Sequence, residues 1–315
     1  MLISTWYILP VAFILDFFIG DPVKLPHPIR LMGRAIEWAE PNFRKLPLKT
    51  SNTGILFALF LIFIAWTISF LLIKSAVFIY PPLGIILEII LLYYCLSARS
   101  LEQAAMDVKK ALNPNDLNVA RKKLSYIVGR QTDKLSETGI IRATVETVAE
   151  NFVDGVISPL FYAVLGGVPL AITYKMVNTM DSMVGYKNEK YINFGTGAAK
   201  IDDFANFIPA RISIFLIAFT AQILSNQGHA VITTAFKEGK NHSSPNAGYP
   251  EAAFAEALQI KLGGPNFYHG KLVEKPYIGQ DFKRVRKNSI TKACNLMILS
   301  SLLFLGLISF IFFLI

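Results

Sequence analysis

The chain has 315 residues, of which 53% are hydrophobic and only 17% are charged. This composition is more apolar than a soluble domain of the same length requires, so it predicts a membrane protein. The net charge is +9, but the basic residues stand in several polar stretches between apolar runs, which argues against nucleic-acid binding. Cys95 and Cys294 lie inside apolar runs without metal-ligand spacing, so neither a disulfide framework nor a zinc site is expected.

The apolar segments, taken in chain order, predict an all-α polytopic integral membrane protein with about four to six membrane helices and with cytoplasmic polar helices and loops. Four segments have about the length that crosses a hydrocarbon core of roughly 30 Å: residues 2–19, 54–73, 75–96 and 293–315. The first lacks the basic start and the cleavage site of a signal peptide, so we expect it to be retained. No Ser/Gly/Pro-rich linker divides the chain, and we therefore predict one membrane-embedded catalytic unit over residues 1–315.

Two further apolar segments leave open whether they cross the membrane. Residues 152–172 contain a Gly-Gly-Val-Pro break at 166–169, and residues 204–224 contain Pro209 and Arg211. The break favours a helical hairpin that turns back, because irregular backbone at membrane depth is tolerated where protein surrounds it. If both segments cross or neither does, three polar stretches that hold most of the 31 basic residues share one side.

The distribution of basic residues predicts the orientation. The three polar stretches are residues 20–53, 97–151 and 225–292, and the positive-inside rule places them in the cytoplasm with both termini outside. We therefore expect a multi-pass protein of the cell membrane whose active site faces the cytoplasm. The side on which residues 173–203 lie stays open.

Acidic residues follow one predicted helix face just before the broken segment. Glu146, Glu150 and Asp154 are spaced at i, i+4 and i+8, which places them within about 80° of one another around the helix. Three like charges on one stripe repel each other, and no Lys or Arg stands between them. A bridging divalent cation would relieve the repulsion, and Mg²⁺ favours such oxygen ligands. A solvated acidic face is the alternative.

A second polar stripe and an acidic pair follow downstream. Lys175, Asn178 and Asp181 recur at threefold spacing with apolar residues between them, as on a largely buried helix. Asp202 and Asp203 are adjacent carboxylates close to a basic residue in an apolar run, an arrangement typical of a metal or a metal-bound phosphate. The alternative for either aspartate is an N-terminal helix cap.

Turn-rich segments add candidate ligand contacts. His27 lies between two prolines that stiffen its loop, which suits a ligand contact, although a structural role for this single histidine is the alternative. Residues 244–251 and 262–265 are rich in turn formers and are suited to wrapping a ligand with backbone N–H groups. No P-loop, HExxH or GxSxG motif occurs, so any nucleotide chemistry uses another kind of site.

Motif blocks in one order run through most of the chain. They are Asp16 with Gly20-Asp21-Pro22 and Pro26-His27-Pro28; Ile127-Val128-Gly129-Arg130; Leu135-Ser136; Arg142-Ala143; residues 145–151 (VETVAEN); residues 154–159 (DGVISP); Tyr174-Lys175; residues 178–186 (NTMDSMVGY); Asp202-Asp203; and residues 245–251 (PNAGYPE). Together they resemble the adenosylcobinamide-phosphate synthase family, the integral-membrane enzymes of cobalamin (vitamin B12) biosynthesis. One departure is Gln131, where the family usually has Asp.

The resemblance implies a ligase that forms a C–N amide bond at the expense of ATP. It would join (R)-1-aminopropan-2-ol or its O-phosphate to the side-chain carboxylate of adenosylcobyric acid, giving adenosylcobinamide or its phosphate. ATP and Mg²⁺ are the expected cofactors. The expected partners are these corrinoid and amino alcohol substrates, the lipid bilayer and other corrinoid-assembly enzymes, with no nucleic acid.

Under this resemblance the candidate residues fall into three overlapping sets. The metal ligands would be Glu146, Glu150, Asp154, Asp181, Asp202 and Asp203. The catalytic residues would be Glu146, Glu150, Asp181 and Lys175. The substrate-binding residues, among which the basic ones would clamp phosphates, would be Asp21, His27, Arg142, Asn151, Asn178, Lys187, Arg211, Asn246, Tyr249 and Glu251.

Two other functions are compatible with acids in apolar helices. A Mg-dependent intramembrane prenyltransferase also holds a diphosphate between acidic motifs, but its usual NDxxDxxxD-like pair is missing. A membrane transporter would use Glu146, Asp154 and Lys175 as an ion path beside broken helices. No internal repeat of the kind common in transporters occurs.

Overall fold

The protein is described here from a computed structural model that covers residues 6–22, 27–112, 116–186, 188–268, 271–274 and 276–314. The α-helices are α1 (Ile8–Ile19), α2 (Pro28–Arg44), α3 (Thr50–Ile79), α4 (Pro81–Tyr93), α5 (Ala98–Leu112), α6 (Leu117–Ser125), α7 (Glu137–Phe152), α8 (Ser158–Val184), α9 (Thr196–Ala205), α10 (Phe207–Ser225), α11 (Gly228–Glu238), α12 (Gly248–Leu258) and α13 (Lys287–Leu314). A π-helix (Val153–Ile157) joins α7 to α8, and a 3₁₀ turn (Gly239–Asn241) follows α11. Strands β1 (Leu262–Gly263) and β4 (Tyr277–Ile278) pair antiparallel, as do β2 (Asn266–Tyr268) and β3 (Lys271–Val273).

Five helical segments are long and apolar enough to cross a membrane by length and composition: Thr50–Ile79, Pro81–Leu112, Glu137–Val184, Thr196–Ser225 and Lys287–Phe313. In the part of the chain described, the short paired strands are the only sheets, and the other regular elements are shorter helices. The predicted all-α polytopic membrane architecture is therefore confirmed. The sequence-predicted segment 204–224 begins at the end of α9 and continues as α10 from Phe207, and 293–315 falls within the range of α13 apart from its last residue.

Two predicted span boundaries differ from the structure. α3 continues to Ile79 and α4 begins at Pro81, so residues 75–79 belong to the earlier helix instead of opening the next one. Tyr80 is extended because it precedes a proline, and Pro81 starts a helix easily because its missing N–H falls in the first turn. At the N-terminus, the described part of the predicted span 2–19 forms α1, whose 12 residues are about 18 Å long. Trp6 and Tyr7 form a turn before α1, and residues 2–5 lie outside the described residues.

Helix α8 is a hairpin of two helical arms. Its backbone leaves helical geometry at Gly166 and at Gly167, whose φ of 74° lies in the region that favours glycine. The rings of Tyr162 and Tyr174 stack with centroids 5.2 Å apart, whereas twelve residues of straight helix would separate them by about 18 Å. Pro169 fits the first turn of the returning arm. The predicted hairpin is therefore confirmed.

The chain divides into two units, each built from separate stretches. The first unit comprises Met1–Ser97, Asp154–Asn206 and Leu307–Ile315, and the second comprises Ala98–Val153 and Phe207–Gly306. In the first, α3 packs against α8 and α9; in the second, α10, α11 and α12 pack on one another. The single catalytic unit expected over residues 1–315 stays a prediction.

Candidate functional site

Three carboxylates meet in the first unit because the hairpin folds the chain back. Asp154 lies in the π-helix, and Asn178 on the returning arm of α8 donates from Nδ2 to its Oδ2 at 3.3 Å across 24 residues of sequence. Asn178 also lies near Asp202 of α9, and the charges of Asp154 and Asp181 act on Asp202. A π-helix is rare and frequently marks a functional site. The structure thus brings together four of the residues that the sequence singled out.

Asp202 is incompletely satisfied within this acidic cluster of Asp154, Asp181 and Asp202. Its Oδ2 accepts a hydrogen bond from Asn206 Nδ2 at 3.0 Å, but its Oδ1 is buried without a hydrogen-bond partner in the described chain. A buried acceptor left without a partner costs about 1–3 kcal/mol. Asp202 and Asp203 also lie in the last turn of α9, where negative charge is unfavourable and where neither caps an N-terminus.

Asn206 is held so that its amide nitrogen faces Asp202. Its Oδ1 accepts from Ser158 Oγ at 2.7 Å and from Tyr174 OH at 2.9 Å, which fixes the orientation of the amide group. Ser158, Tyr174 and Asn206 are all buried. These roles were not predicted. The local signal in the sequence is an asparagine four residues after Asp202, whereas Ser158 and Tyr174 reach Asn206 only through the tertiary fold.

Lys175 is a buried cation on the returning arm of α8. The residue is only 8% exposed, and no carboxylate of the described chain lies within 4.0 Å of its ammonium. Its charge acts on the buried thiol of Cys95. A buried ammonium without a carboxylate is costly, so Lys175 is suited to binding an anion.

Glu146 of the second unit has its own counter-charges. Its Oε2 accepts a hydrogen bond from Arg130 Nη2, its Oε1 accepts from the Gly263 N–H at 2.8 Å, and Arg142 Nε lies 4.0 Å away. The repulsion that suggested a bridging metal is therefore relieved at Glu146 by arginines. Glu150, one turn further along α7, is exposed.

In the turn after α12, the backbone N–H groups of Gly263 and Gly264 donate hydrogen bonds to other parts of the protein. The Gly263 N–H binds Glu146, and the Gly264 N–H donates to the carbonyl oxygen of Pro276 at 3.0 Å. Gly263 has a φ of 71°, and a Cβ there would lie 2.5 Å from the same carbonyl, so this position requires glycine. Residues 262–265 therefore support Glu146, which differs from the ligand-wrapping role expected for their N–H groups.

Arg211 gathers two other predicted substrate contacts in the second unit. Its Nη1 donates to Asn246 Oδ1 at 2.8 Å, and its guanidinium lies 4.2 Å from the ring centroid of Tyr249. Glu251 is buried close by in sequence, with its Oε1 3.8 Å from His242 Nε2. His242 was not among the predicted site residues, because a single histidine in a loop has no spacing to other residues that would indicate a site.

His27 and Asp21 form a pair at the start of α2. His27 is the N-cap residue: its Nδ1 accepts from the Ile29 N–H at 3.3 Å, so its Nε2 carries the proton that faces Asp21 Oδ1 at 3.2 Å. The ring also packs edge-on against Tyr94. The structural role that the sequence left as an alternative is thus present.

A cavity of about 690 Å³ in the first unit is lined by residues of both charges. Glu40 pairs with Arg44 at 2.8 Å and with Lys190 at 3.3 Å, so these charges neutralise one another. The hydrogen bond to Tyr191 is the main cause that raises the pKa of Lys190. The cavity therefore has no strong preference for one sign of ligand charge.

The remaining predicted residues have less distinctive surroundings. Asn151 donates from Nδ2 to the Thr147 carbonyl oxygen at 3.0 Å, and Asp203 is partly buried. Lys187 lies outside the described residues. Among the residues that the structure describes, no group of three or more His, Cys, Asp or Glu side chains is placed to hold a metal ion. The assigned catalytic, binding and metal roles stay predictions.

Comparison with known proteins decides the family. The family model described as "CobD/Cbib protein" matches residues 9–297. This chain belongs to the CobD/CbiB family. It is 46% identical over 299 residues to cobalamin biosynthesis protein CobD of Clostridium perfringens, a match that covers 95% of this chain and 94% of the relative. It is also 44% identical to CobD of Klebsiella pneumoniae, covering 94% of each chain, and 42% identical to CobD/CbiB family member CbiB of Salmonella typhi, covering 98% and 96%.

Membership of the CobD/CbiB family confirms the resemblance found in the sequence and gives the protein a role in cobalamin biosynthesis. No solved structure matches the chain. The geometry of the acidic cluster and of the arginine-bound Glu146 therefore comes from this structure alone.

Proposed function

We propose that this CobD/CbiB family protein is the ligase that attaches the aminopropanol arm to the corrin ring. The side-chain carboxylate of adenosylcobyric acid is activated at the expense of ATP, and the amine of (R)-1-aminopropan-2-ol or its O-phosphate attacks the activated carbonyl. A C–N amide bond forms, and the activating group leaves with the carboxylate oxygen. The product is adenosylcobinamide or its phosphate.

The observation that carries this proposal is that one hairpin bears a buried lysine and assembles the acidic cluster. Asp181 and Lys175 lie on the same arm of α8, Asn178 of that arm binds Asp154, and the charges of Asp154 and Asp181 act on Asp202. Activation of a carboxylate by ATP needs positive charge near the transferring phosphoryl group. It also needs an acceptor for the proton of the attacking amine. Lys175 supplies the first and a carboxylate of the cluster supplies the second.

The acidic cluster fits Mg²⁺ in the manner of nucleotide-dependent sites. Such sites bind Mg²⁺ through one or two carboxylates together with substrate phosphates, and they do not need a complete cage of protein ligands. Asp202 Oδ1, buried without a hydrogen-bond partner in the described chain, is the ligand atom best suited to this role. When bound, Mg²⁺ would shield the phosphate charges of ATP. Asn178 and Asn206 fix the orientations of the Asp154 and Asp202 carboxyl groups by hydrogen bonds.

Complementation tests the step in a living cell. The host is a cobalamin-requiring strain that lacks its own CobD/CbiB gene, is supplied with cobyric acid and takes up corrinoids. The wild-type chain is expected to restore growth on cobyric acid, whereas the empty vector grows only with cobinamide, the product side of the step. A D202N variant should behave like the empty vector, and D107N, at a side chain 45% exposed, should behave like wild type. Failure of wild-type protein present in the membrane to restore growth would contradict the proposal.

A further inference from the structure

A small cavity in the second unit is lined by positive charge. It has a volume of about 260 Å³ and lies at the start of α7, where its lining includes Arg142, Lys261 and Arg284 with the hydroxyls of Ser136 and Thr138. We call it the cationic pocket. No acidic residue is among the lining residues described, in contrast to the charge-balanced cavity beside Glu40.

The three cations of the cationic pocket are poorly neutralised. Lys261 and Arg284 form no ion pair within the described part of the chain, and Arg142 reaches a carboxylate only at 4.0 Å, at Glu146. The Nε of Arg142 is buried without a hydrogen-bond partner among the described residues. Cations gathered without counter-charge repel one another, so a bound anion would stabilise the pocket.

The cationic pocket is built on fixed elements. The centroid of the Tyr277 ring in β4 lies 4.0 Å from Lys261 Nζ and 5.7 Å from Arg142 Cζ, so one aromatic ring contacts two of the cations. Glu146 ties α7 to β1 through the Gly263 N–H, two residues after Lys261. Ser136 caps α7 by accepting from the Gly139 N–H at 3.2 Å, and the positive end of the helix adds to the field.

We propose that the cationic pocket binds the phosphate groups of a soluble phosphorylated ligand. Arginine and lysine with nearby hydroxyls are the usual recognition groups for phosphate oxygens. A volume of about 260 Å³ is smaller than the 300–1,000 Å³ typical of sites that enclose a whole ligand, so the pocket takes the phosphate part. The proposal deepens the proposed function, on which it rests for the identity of its ligands, since ATP and aminopropanol O-phosphate both carry such groups.

Direct binding without corrinoid tests this proposal separately from turnover. Protein purified in neutral detergent is titrated by calorimetry with inorganic triphosphate and, in a second arm, with 1-aminopropan-2-ol O-phosphate. The K261Q and R284Q variants are expected to bind the preferred anion at least about tenfold more weakly, as the loss of a charge-assisted hydrogen bond predicts. The matched control is K283Q, at an exposed lysine next to Arg284 that does not line the pocket; it should bind like wild type.

The two anion arms and a lipid arm identify the source of the phosphate. Tighter binding of triphosphate assigns the pocket to ATP, and tighter binding of the O-phosphate assigns it to the amino alcohol. The titration is repeated in bilayers of phosphatidylcholine with and without phosphatidylglycerol. Displacement of both anions by phosphatidylglycerol from wild type and K283Q alike, or equal affinity of wild type, K261Q and R284Q, would overturn the proposal, as would no binding at all. Binding of either anion by a protein that forms no amide product would support the phosphate-binding pocket and overturn the proposed ligase activity.

Discussion

At the scale of single residues, the acidic cluster gathers buried carboxyl groups whose burial does not stabilise the fold. Asp154 and Asp181 act on Asp202, whose Oδ1 is buried without a hydrogen-bond partner in the described chain. Such arrangements lower stability and persist where function uses them. Glu146 contrasts with the cluster, because two arginines and a backbone N–H surround it.

Replacing Asp202 by asparagine should separate activity from stability. The D202N change replaces one of three clustered, buried carboxyl groups by an amide of the same shape, so we expect the Tm to stay the same or to rise by a few degrees. Activity should fall by about 100-fold or more, since charge at the reaction centre is lost. Thermal unfolding and amide formation measure the two effects, with D107N as the surface control. Full activity of D202N would remove Asp202 from the site.

Replacing Glu146 by alanine should instead destabilise the protein. It leaves Arg130, whose side chain is 10% exposed, and Arg142 without their carboxylate, and breaking such a buried pair costs about 3–5 kcal/mol. E150A, one turn along the same helix at an exposed position, should stay within about 0.5 kcal/mol of wild type. Denaturant unfolding of both variants provides the comparison; equal stability of the two would show that the arginine network contributes little.

At the scale of elements, the α8 hairpin assembles the acidic cluster. Gly167 makes the reversal possible because its φ of 74° and ψ of −176° lie in a region that is essentially restricted to glycine. Because of this reversal, Asn178 donates a hydrogen bond to Asp154. Tyr174 and Ser158, on different arms of the hairpin, both donate to Asn206 Oδ1.

A side chain at Gly167 should therefore disturb both the hairpin and the activity. We expect G167A to lower the free energy of unfolding by about 1–3 kcal/mol, the cost of a non-glycine residue in this conformation, and to reduce amide formation. The control is G306A in α13, where an added Cβ meets nothing within 4 Å and where alanine favours the helix. If G167A equals G306A in unfolding and in activity, the hairpin does not depend on this glycine.

The elements also show how far the sequence carries. The Gly-Gly-Val-Pro break predicts the hairpin, because glycine and proline change the backbone locally. Arg142 stands four residues before Glu146, so a helix places both side chains on the same face. Arg130 is sixteen residues from Glu146 and Asn178 is 24 residues from Asp154. These pairs depend on tertiary folding, which local spacing does not encode. The prolines at positions 81 and 82 indicate that α4 begins at Pro81, whereas hydropathy alone placed the start of this span at residue 75.

At the scale of the whole molecule, five apolar helical segments and the placement of basic residues define a multi-pass membrane protein. The predicted orientation places residues 20–53, 97–151 and 225–292 in the cytoplasm. It places Tyr80, between α3 and α4 and 61% exposed, on the opposite side. Both native cysteines are buried and can be replaced by alanine for labelling.

Cysteine labelling of intact cells should reveal this orientation. With a membrane-impermeant maleimide, we expect Y80C to react in intact cells, and K49C, K122C and K240C to react only after permeabilisation. Each of the three lysines is exposed and lies in a different polar stretch. Labelling of any of these three in intact cells, at the level of Y80C, would show that the polar stretches do not share the cytoplasmic side.

The proposed ATP-dependent ligation is tested by reconstituting the reaction with purified protein. Detergent-purified protein is incubated with adenosylcobyric acid, Mg²⁺, ATP and 1-aminopropan-2-ol or its O-phosphate, and the corrinoid is analysed by mass spectrometry. We expect a corrinoid heavier by the amino alcohol or its phosphate less one water, formed only when ATP is present and strongly reduced in D202N. If folded wild-type protein binds its substrates and yet forms no amide product, the protein is not this ligase.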